Sequence, residues 1–203
     1  MDKISLGPTR PTFPTGAHIC YVYNDEEERQ QVIADFIRDG LAENELVGYF
    51  VNDISPQEMR EHLASLGVVL PPGSPPAQLA MSEAIHTYCS GGCFEPDAML
   101  KKVDDFYQRS AREGYRGARI TGEMAWALQG IPGSERLVEY EDRLNLLVQK
   151  SPVTLICQYD ANRFDGATIY EIMSVHPMMI VRGQVVRNPF YEPLPAEEHQ
   201  ETL

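Results

Sequence analysis

What most constrains this chain is the way short, continuous apolar runs alternate with segments of helical periodicity. HICYVY (18–23), LVGYF within 46–51 and VTLIC (153–157) are strand-sized, rich in β-branched and aromatic residues, and apolar over most of their length, with no polar alternation. Such runs suit strands covered on both faces, whereas a half-exposed sheet would give strict alternation. Between them, 26–41 repeats apolar residues at helical spacing through Val32, Ile33, Phe36, Ile37 and Leu41. A second helix start is complete: Ser55 caps, Pro56 takes the first position and Glu58 sits three residues on. Gly67 ends that helix, and the turn-rich insertion VVLPPGSPP (68–76) follows.

The pattern continues with a short strand within QLAMSEAI (78–85), a loop at TYCSGGCFE (87–95) and a helix opened by Pro96 over 96–113. ARIT (118–121) gives a strand. Ser134 reads as a cap for a helix carrying Leu137, Tyr140, Leu144 and Leu147, and Asp165 as a cap for IYEIMSVH. Pro177 stops that helix, and MMIVRGQVV (178–186) reads as an edge strand or a hairpin broken at Gly183. The expected fold class is therefore α/β: three layers, with a mostly parallel sheet flanked by helices and a C-terminal edge strand or hairpin. The expected division is a flexible arm over 1–15, one domain over 16–193 and an acidic tail over 194–203.

Charge narrows the partners. Seventeen basic residues stand against 30 acidic ones, a net charge of −13, which repels phosphate backbones and anionic lipid. Direct nucleic-acid binding is not expected. The longest apolar runs are strand-sized, so no membrane span is expected, and the N-terminus lacks an apolar signal segment. Four cysteines, at 20, 89, 93 and 157, fit reduced thiols and a cytoplasmic setting better than a disulfide scaffold.

In open α/β sheets, ligands bind beyond the carboxyl ends of the strands. Those ends carry Tyr23-Asn24-Asp25, Asn52-Asp53, Thr121-Gly122-Glu123 and Gln158-Tyr159-Asp160, with Trp126 three residues past Glu123. An aromatic, carboxylates and an amide suit a small pocket. No GxxxxGK[ST] stretch occurs, and four consecutive acidic residues, Asp25 to Glu28, fill the first strand-to-helix turn. They are favourable at a helix N-terminus but repel a triphosphate, so conventional phosphate-loop ATP binding is not expected. Two sets of residues have metal-ligating types: His18 and Cys20 on one strand face, and His86, Cys89 and Cys93 as H-x2-C-x3-C. Either could take zinc or another transition metal, although neither forms paired CxxC knuckles. Cys157, on an apolar strand, reads as core, and His176 before Pro177 as a helix-end residue or a site residue.

Several separated segments together resemble a known family. They are GAHICYVYNDEEE (16–28), Asn52-Asp53, RITGEMAWAL (119–128), YEDRLN (140–145), PVTLICQYD (152–160) and His176-Pro177. The chain resembles the MEDS domain, the methanogen/methylotroph sensory domain named after the dichloromethane-responsive repressor DcmR, over roughly residues 14–193. The resemblance implies a RecA/KaiC-like core that has lost its phosphate loop and senses small molecules, often beside a DNA-binding or kinase-type output module. It marks Gly16, His18, Cys20, Tyr23, Asp53, Arg119, Gly122, Glu123, Trp126, Tyr140, Glu141, Asn145, Gln158, Tyr159, Asp160, His176 and Pro177 as recurrent, without assigning them roles. CSGGC before Phe94 departs from the family pattern. After Tyr191 only EPLPAEEHQETL follows, so either the signal is expected to pass to a separate protein or the chain is a fragment of a longer one.

The leading expectation is a non-enzymatic sensor whose small-molecule site draws on His18, Cys20, Tyr23, Asp53, Arg119, Glu123, Trp126, Gln158, Tyr159, Asp160 and His176. Arg119 would balance Glu123 or an anionic ligand. Two alternatives stay open. One is a thiol- or metal-dependent enzyme, or a degenerate relative of nucleotide-binding ATPases; the thiol version requires a depressed Cys20 pKa. The other is a protein-interaction adaptor. The edge strand near 178–186 offers a place for a homodimer to pair.

Overall fold

A computed structural model describes residues 15–192, together with the backbone of 3–4 and 13–14, where Lys3–Ile4 pairs antiparallel with Phe13–Pro14. The proposed arm at 1–15 and tail at 194–203 lie almost wholly outside the described residues. Seven strands form one sheet: β1 (His18–Tyr23), β2 (Leu46–Val51), β3 (Leu79–Glu83), β4 (Ala118–Glu123), β5 (Thr154–Asp160), β6 (Met178–Val181) and β7 (Gln184–Arg187). Their order is β3-β2-β4-β5-β1-β6-β7, with every pairing parallel except the last. This is the three-layer, mostly parallel α/β architecture, and its C-terminal end is a hairpin. The two turn residues, Arg182 and Gly183, both have positive φ (48° and 66°), the combination that suits a two-residue hairpin turn.

Among the described residues six α-helices cover the sheet: α1 (Glu26–Ala42), α2 (Pro56–Ser65), α3 (Ala84–Tyr88), α4 (Pro96–Arg112), α5 (Leu137–Lys150) and α6 (Gly166–Ser174). The Asp25 side chain accepts from Glu28 N and caps α1, while Ser55 and Glu58 form the expected capping box of α2. Asp165 caps α6 by accepting from the amides of Ala167 and Thr168. Two local differences from the sequence reading stand out. The stretch read as loop from Thr87 begins with the last two residues of a short helix, α3. Ser134 makes no side-chain cap, because a 3-10 turn at Ser134–Arg136 follows the left-handed Gly133 and feeds α5.

Strand alternation divides the interior in two. On one face Ile19, Tyr21, Val47, Tyr49 and Ile156 pack against α1 and α2 through Phe36, Ile37, Met59 and Leu63. On the other face Cys20, Ile120, Leu155 and Cys157 pack against α3 to α6 through Tyr88, Met99, Leu144 and Ile172. Trp126, Phe94, Tyr88 and Tyr140 form an aromatic group in the second core, with Trp126 stacked on Tyr88 at 4.8 Å.

At the amino end of β4 the fully buried Arg119 ion-pairs with Glu45, donates to Phe36 O at 2.7 Å and lies over the Phe36 ring. It needs Gly40 opposite, since a Cβ there would fall 2.4 Å from its Nε.

Candidate functional site

Beneath α5, four chain segments bring polar side chains into the second core. His18 projects from β1 on the same face as Cys20, and Cys157 and Tyr159 project from β5; Cys20 and Cys157 are register partners. From α5 come Glu141 and Asn145, one turn apart on the buried stripe of Tyr140, Leu144 and Val148. His176 enters from the segment after α6. His18, Glu141, Tyr159 and His176 are at most 1% exposed.

Glu141 is the centre. Its Oε2 lies 3.0 Å from His18 Nε2, 3.3 Å from His176 Nε2 and 3.3 Å from the Cys157 sulfur. Its Oε1 accepts from Tyr159 OH at 2.5 Å. Cys157 Sγ is also 3.6 Å from His18 Nε2, and the two imidazoles are tilted across each other with centroids 4.1 Å apart. The outer nitrogens are tied as well: His18 Nδ1 to Asn145 Oδ1 at 2.9 Å and His176 Nδ1 to Ile172 O at 2.7 Å. Asn145 Nδ2 donates to Val175 O at 2.7 Å, which fixes the orientation of that amide. His18, Glu141, Cys157 and His176 each offer one ligating atom, two nitrogens, one oxygen and one sulfur in all, and these lie within 4.8 Å of one another.

Burial by itself would raise the Glu141 pKa, but the imidazoles of His176 and His18 outweigh it and hold the carboxyl well below the usual range. Burial and the neighbouring His176 push His18 down, against the pull of Glu141 and Asn145. Burial, reinforced by the Glu141 charge, pushes the thiols of Cys20 and Cys157 and the Tyr159 phenol up. The depressed Cys20 thiol required by a thiol enzyme is thus the reverse of what this environment produces.

On the opposite face, near the carboxyl ends of the strands, a second polar group surrounds Arg29 of α1. Its guanidinium donates to Tyr49 OH at 3.0 Å, Glu123 Oε1 at 3.3 Å and Gln158 Oε1 at 2.7 Å, and it ion-pairs with Glu26. Tyr49 OH donates to Glu123 Oε1 at 2.6 Å and Asn52 N to Glu123 Oε2 at 2.8 Å. Gln158 Nε2 donates to Thr121 Oγ1, and the guanidinium carbon stands 5.2 Å above the Tyr23 ring. On the rim, Arg163 bridges to Asp53 at 2.8 Å, and Asp160 accepts from Asn162 N at 2.8 Å.

The eleven candidate residues therefore divide. His18, Cys20, Tyr159 and His176 lie on the α5 side; Tyr23, Glu123 and Gln158 lie on the α1 side around Arg29, with Asp53 and Asp160 on its rim. Arg119 belongs to neither group: its partner is Glu45 at the amino end of the sheet, in place of the expected Glu123. Trp126 is walled into the aromatic core. Among the described residues His86, Cys89 and Cys93 do not form a metal-ligating group: His86 is exposed and pairs with Glu83 at 3.1 Å, Cys89 is buried, and Cys93 contacts Glu95. An open groove of about 680 Å³ runs along α1, lined by Asp25, Glu28, Gln31, Val32, Leu66 and Arg182 among others. Arg29 and Cys157 were not among the candidates, and Glu141 and Asn145 were marked only by family resemblance. Both α5 residues carry a readable signal, since two polar side chains four apart interrupt an apolar helical stripe.

The family profile described as MEDS, the MEthanogen/methylotroph, DcmR Sensory domain, matches residues 17–177. A transcriptional repressor, DcmR of Methylorubrum extorquens (strain DSM 6343 / CIP 106787 / DM4), is 24% identical over 160 residues, covering 78% of this chain and 57% of the repressor. The chain thus spans little more than half the length of that relative. Among solved structures, a KaiC-like protein, PH0186 of Pyrococcus horikoshii OT3, superposes with a TM-score of 0.64 at 15% identity, covering 88% of this chain and 79% of that one. The flagellar accessory protein FlaH of Methanocaldococcus jannaschii gives 0.59 at 14% identity, covering 83% and 71%. At these identities the two structures speak to the fold alone, which is KaiC-like. Among the described residues no helix is long and apolar enough to cross a membrane.

Proposed function

The chain belongs to the MEDS family of sensory domains, and from that premise we propose that it binds a small neutral or cationic molecule at the carboxyl rim of the sheet and passes the bound state to a regulatory partner. One observation carries the proposal: the place where a helix N-terminus would receive phosphate is filled from within. Asp25 to Glu28 surround the first turn of α1, and Arg29 is turned back onto Glu26, Glu123 and Gln158, so its charge is already used. A triphosphate would meet acidic side chains there, while a small uncharged or positively charged ligand would not be repelled. Tyr23 offers an aromatic wall, and Asp53 and Asp160 offer acceptors beside it. Binding changes output only if two states of the domain differ in affinity for the ligand, and a loop rim bridged by Arg163 to Asp53 is a place where they can differ.

The test is thermal unfolding against methanol, methylamines and dichloromethane, the one-carbon compounds suggested by the family's name, with ATP as comparison. A ligand at a hundred times its Kd adds about 2.7 kcal/mol, which raises Tm by roughly 5–10 °C for a domain of this size. The shift should vanish in Tyr23→Ala/Asp53→Asn while the unliganded Tm stays near wild type. A shift with ATP alone, or one that survives the double substitution, overturns the proposal.

A further inference from the structure

The group around Glu141 has an unusual balance of donors and acceptors. His18 Nδ1 faces the carbonyl oxygen of Asn145, whose orientation is fixed by its own bond to Val175 O, so that nitrogen carries the hydrogen. His176 Nδ1 faces Ile172 O and carries its hydrogen for the same reason. In neutral imidazoles both Nε2 atoms then present lone pairs, and both are directed at Glu141 Oε2, an acceptor. Among the described residues the buried His176 Nε2 has no hydrogen-bond partner. Among the described residues the thiol of Cys157 is the only group that can act solely as a donor to that oxygen. Lone pairs from two nitrogens, one oxygen and one sulfur converge on one place, and something positive must sit among them: imidazole protons, which hold the Glu141 carboxyl low when no metal is there, or a metal ion that accepts all four.

We propose that His18, Glu141, Cys157 and His176 form a binding site for a transition-metal dication of the zinc class. Bonds of about 2.0–2.3 Å in a tetrahedron place the ligand atoms about 3.3–3.6 Å apart. Four of the contacts already lie close to that: 3.0 and 3.3 Å from Glu141 Oε2 to the two Nε2 atoms, 3.3 Å to the sulfur, and 3.6 Å from the sulfur to His18 Nε2. No pair exceeds 4.8 Å, so the remaining edges close by small side-chain rotations.

The charge also closes. A thiolate and a carboxylate cancel a dication, leaving a neutral unit in a fully buried place, where any residual charge would be costly. Binding displaces the Cys157 proton to solvent. The outer contacts are those that metal-bound ligands need: Asn145 and Ile172 O orient the two imidazoles, and Tyr159 holds the other carboxylate oxygen so that Oε2 faces inward. Magnesium and calcium prefer oxygen ligands and more of them, so the donor set selects against both. The ion would tie β1, β5, α5 and the segment after α6 together. This site does not depend on the sensory reading and lies on the opposite face from the proposed ligand rim.

The test uses the full chain, both as purified from zinc-supplemented cells and refolded with Co²⁺ in place of zinc. Elemental analysis after desalting should give about one zinc per chain, and the Co²⁺ form should show visible ligand-field bands with a near-ultraviolet thiolate-to-metal band. In Cys157→Ser the thiolate band should disappear, while Cys89→Ser and Cys93→Ser should retain it. His176→Gln adds an independent ligand deletion with loss of stoichiometric metal. Should that variant fail to fold, the thiolate band and its loss in Cys157→Ser still decide the matter. Wild-type protein that folds in excess Zn²⁺ or Co²⁺ and keeps only a trace of either overturns the site, as does a thiolate band that persists in Cys157→Ser or is lost in Cys93→Ser.

Discussion

The two faces of the sheet solve one problem differently. Each holds a buried carboxylate against the strands, Glu123 on the α1 side and Glu141 on the α5 side, and each gives it a tyrosine hydroxyl at 2.6 or 2.5 Å. Around Glu123 the chain supplies a permanent cation, since Arg29 reaches Glu123, Gln158, Tyr49 and Glu26 at once. Around Glu141 it supplies two imidazoles and a thiol, groups whose charge depends on what else is present. The first face is therefore complete in itself. The second is complete only when something positive joins it. Burial alone does not separate a structural network from a site; the balance of donors against lone pairs does.

The largest expected effect breaks the self-sufficient side. Arg29→Met leaves Glu123 buried beside Tyr49 and Gln158 with no cation, and removing one member of a buried ion pair costs about 3–5 kcal/mol. Adding Glu123→Gln should restore part of this, with a coupling of about 1–3 kcal/mol. Urea unfolding at neutral pH measures both. Purely additive losses would mean that the Arg29–Glu123 contact does not hold this face together.

A smaller effect compares the faces directly. Tyr159→Phe deprives Glu141 Oε1 of its hydroxyl donor, and among the described residues no other hydrogen bond to that oxygen is seen, so the cost should be about 1.5–3 kcal/mol. Tyr49→Phe leaves Glu123 Oε1 with Arg29 and Oε2 with the Asn52 amide, and should cost about 1 kcal/mol. Paired urea titrations with unchanged m-values would establish the order. The reverse order would show that Arg29 cannot substitute for the lost hydroxyl.

Much of this molecule was legible in the sequence, and the losses have identifiable causes. Unbroken apolar runs and complete caps are local signals, so the parallel sheet, α1, α2 and the hairpin break at Gly183 could all be read. The site was harder because strand neighbours point to opposite faces: Gln158 and Tyr159 are adjacent in sequence and end on different sides of the sheet. Arg119 and Glu123 do share a face, but four residue steps along the strand put them roughly 13 Å apart, too far to pair. Arg29 looks like an ordinary helix charge after three glutamates, and only the tertiary approach of β2, β4 and β5 turns it inward. Cys157 sits in an apolar strand that reads as core, and nothing local says that an α5 carboxylate will face it. Glu141 and Asn145 were the recoverable signal, as polar positions one turn apart in a buried stripe.

The smallest effect tests whether the Arg29 network reaches the surface. Burial by itself would raise the pKa of Glu26, but hydrogen bonding and charge from Arg29 hold it below the ordinary carboxylate value. A carboxyl depressed in the folded state binds fewer protons there than in the unfolded chain, so stability rises with pH across that interval. The Glu26 contribution is therefore present above the unfolded pKa of 4.5 and is lost as pH falls through the lower folded value. Glu26 is half exposed, so solvent screening keeps the effect small. In Arg29→Met the depression disappears, and the difference between wild type and variant should narrow as pH is lowered below the ordinary carboxylate range. Urea midpoints measured from neutral pH into that acid range would show it. A difference that stays constant across the interval would confine the role of Arg29 to the buried partners Glu123, Tyr49 and Gln158.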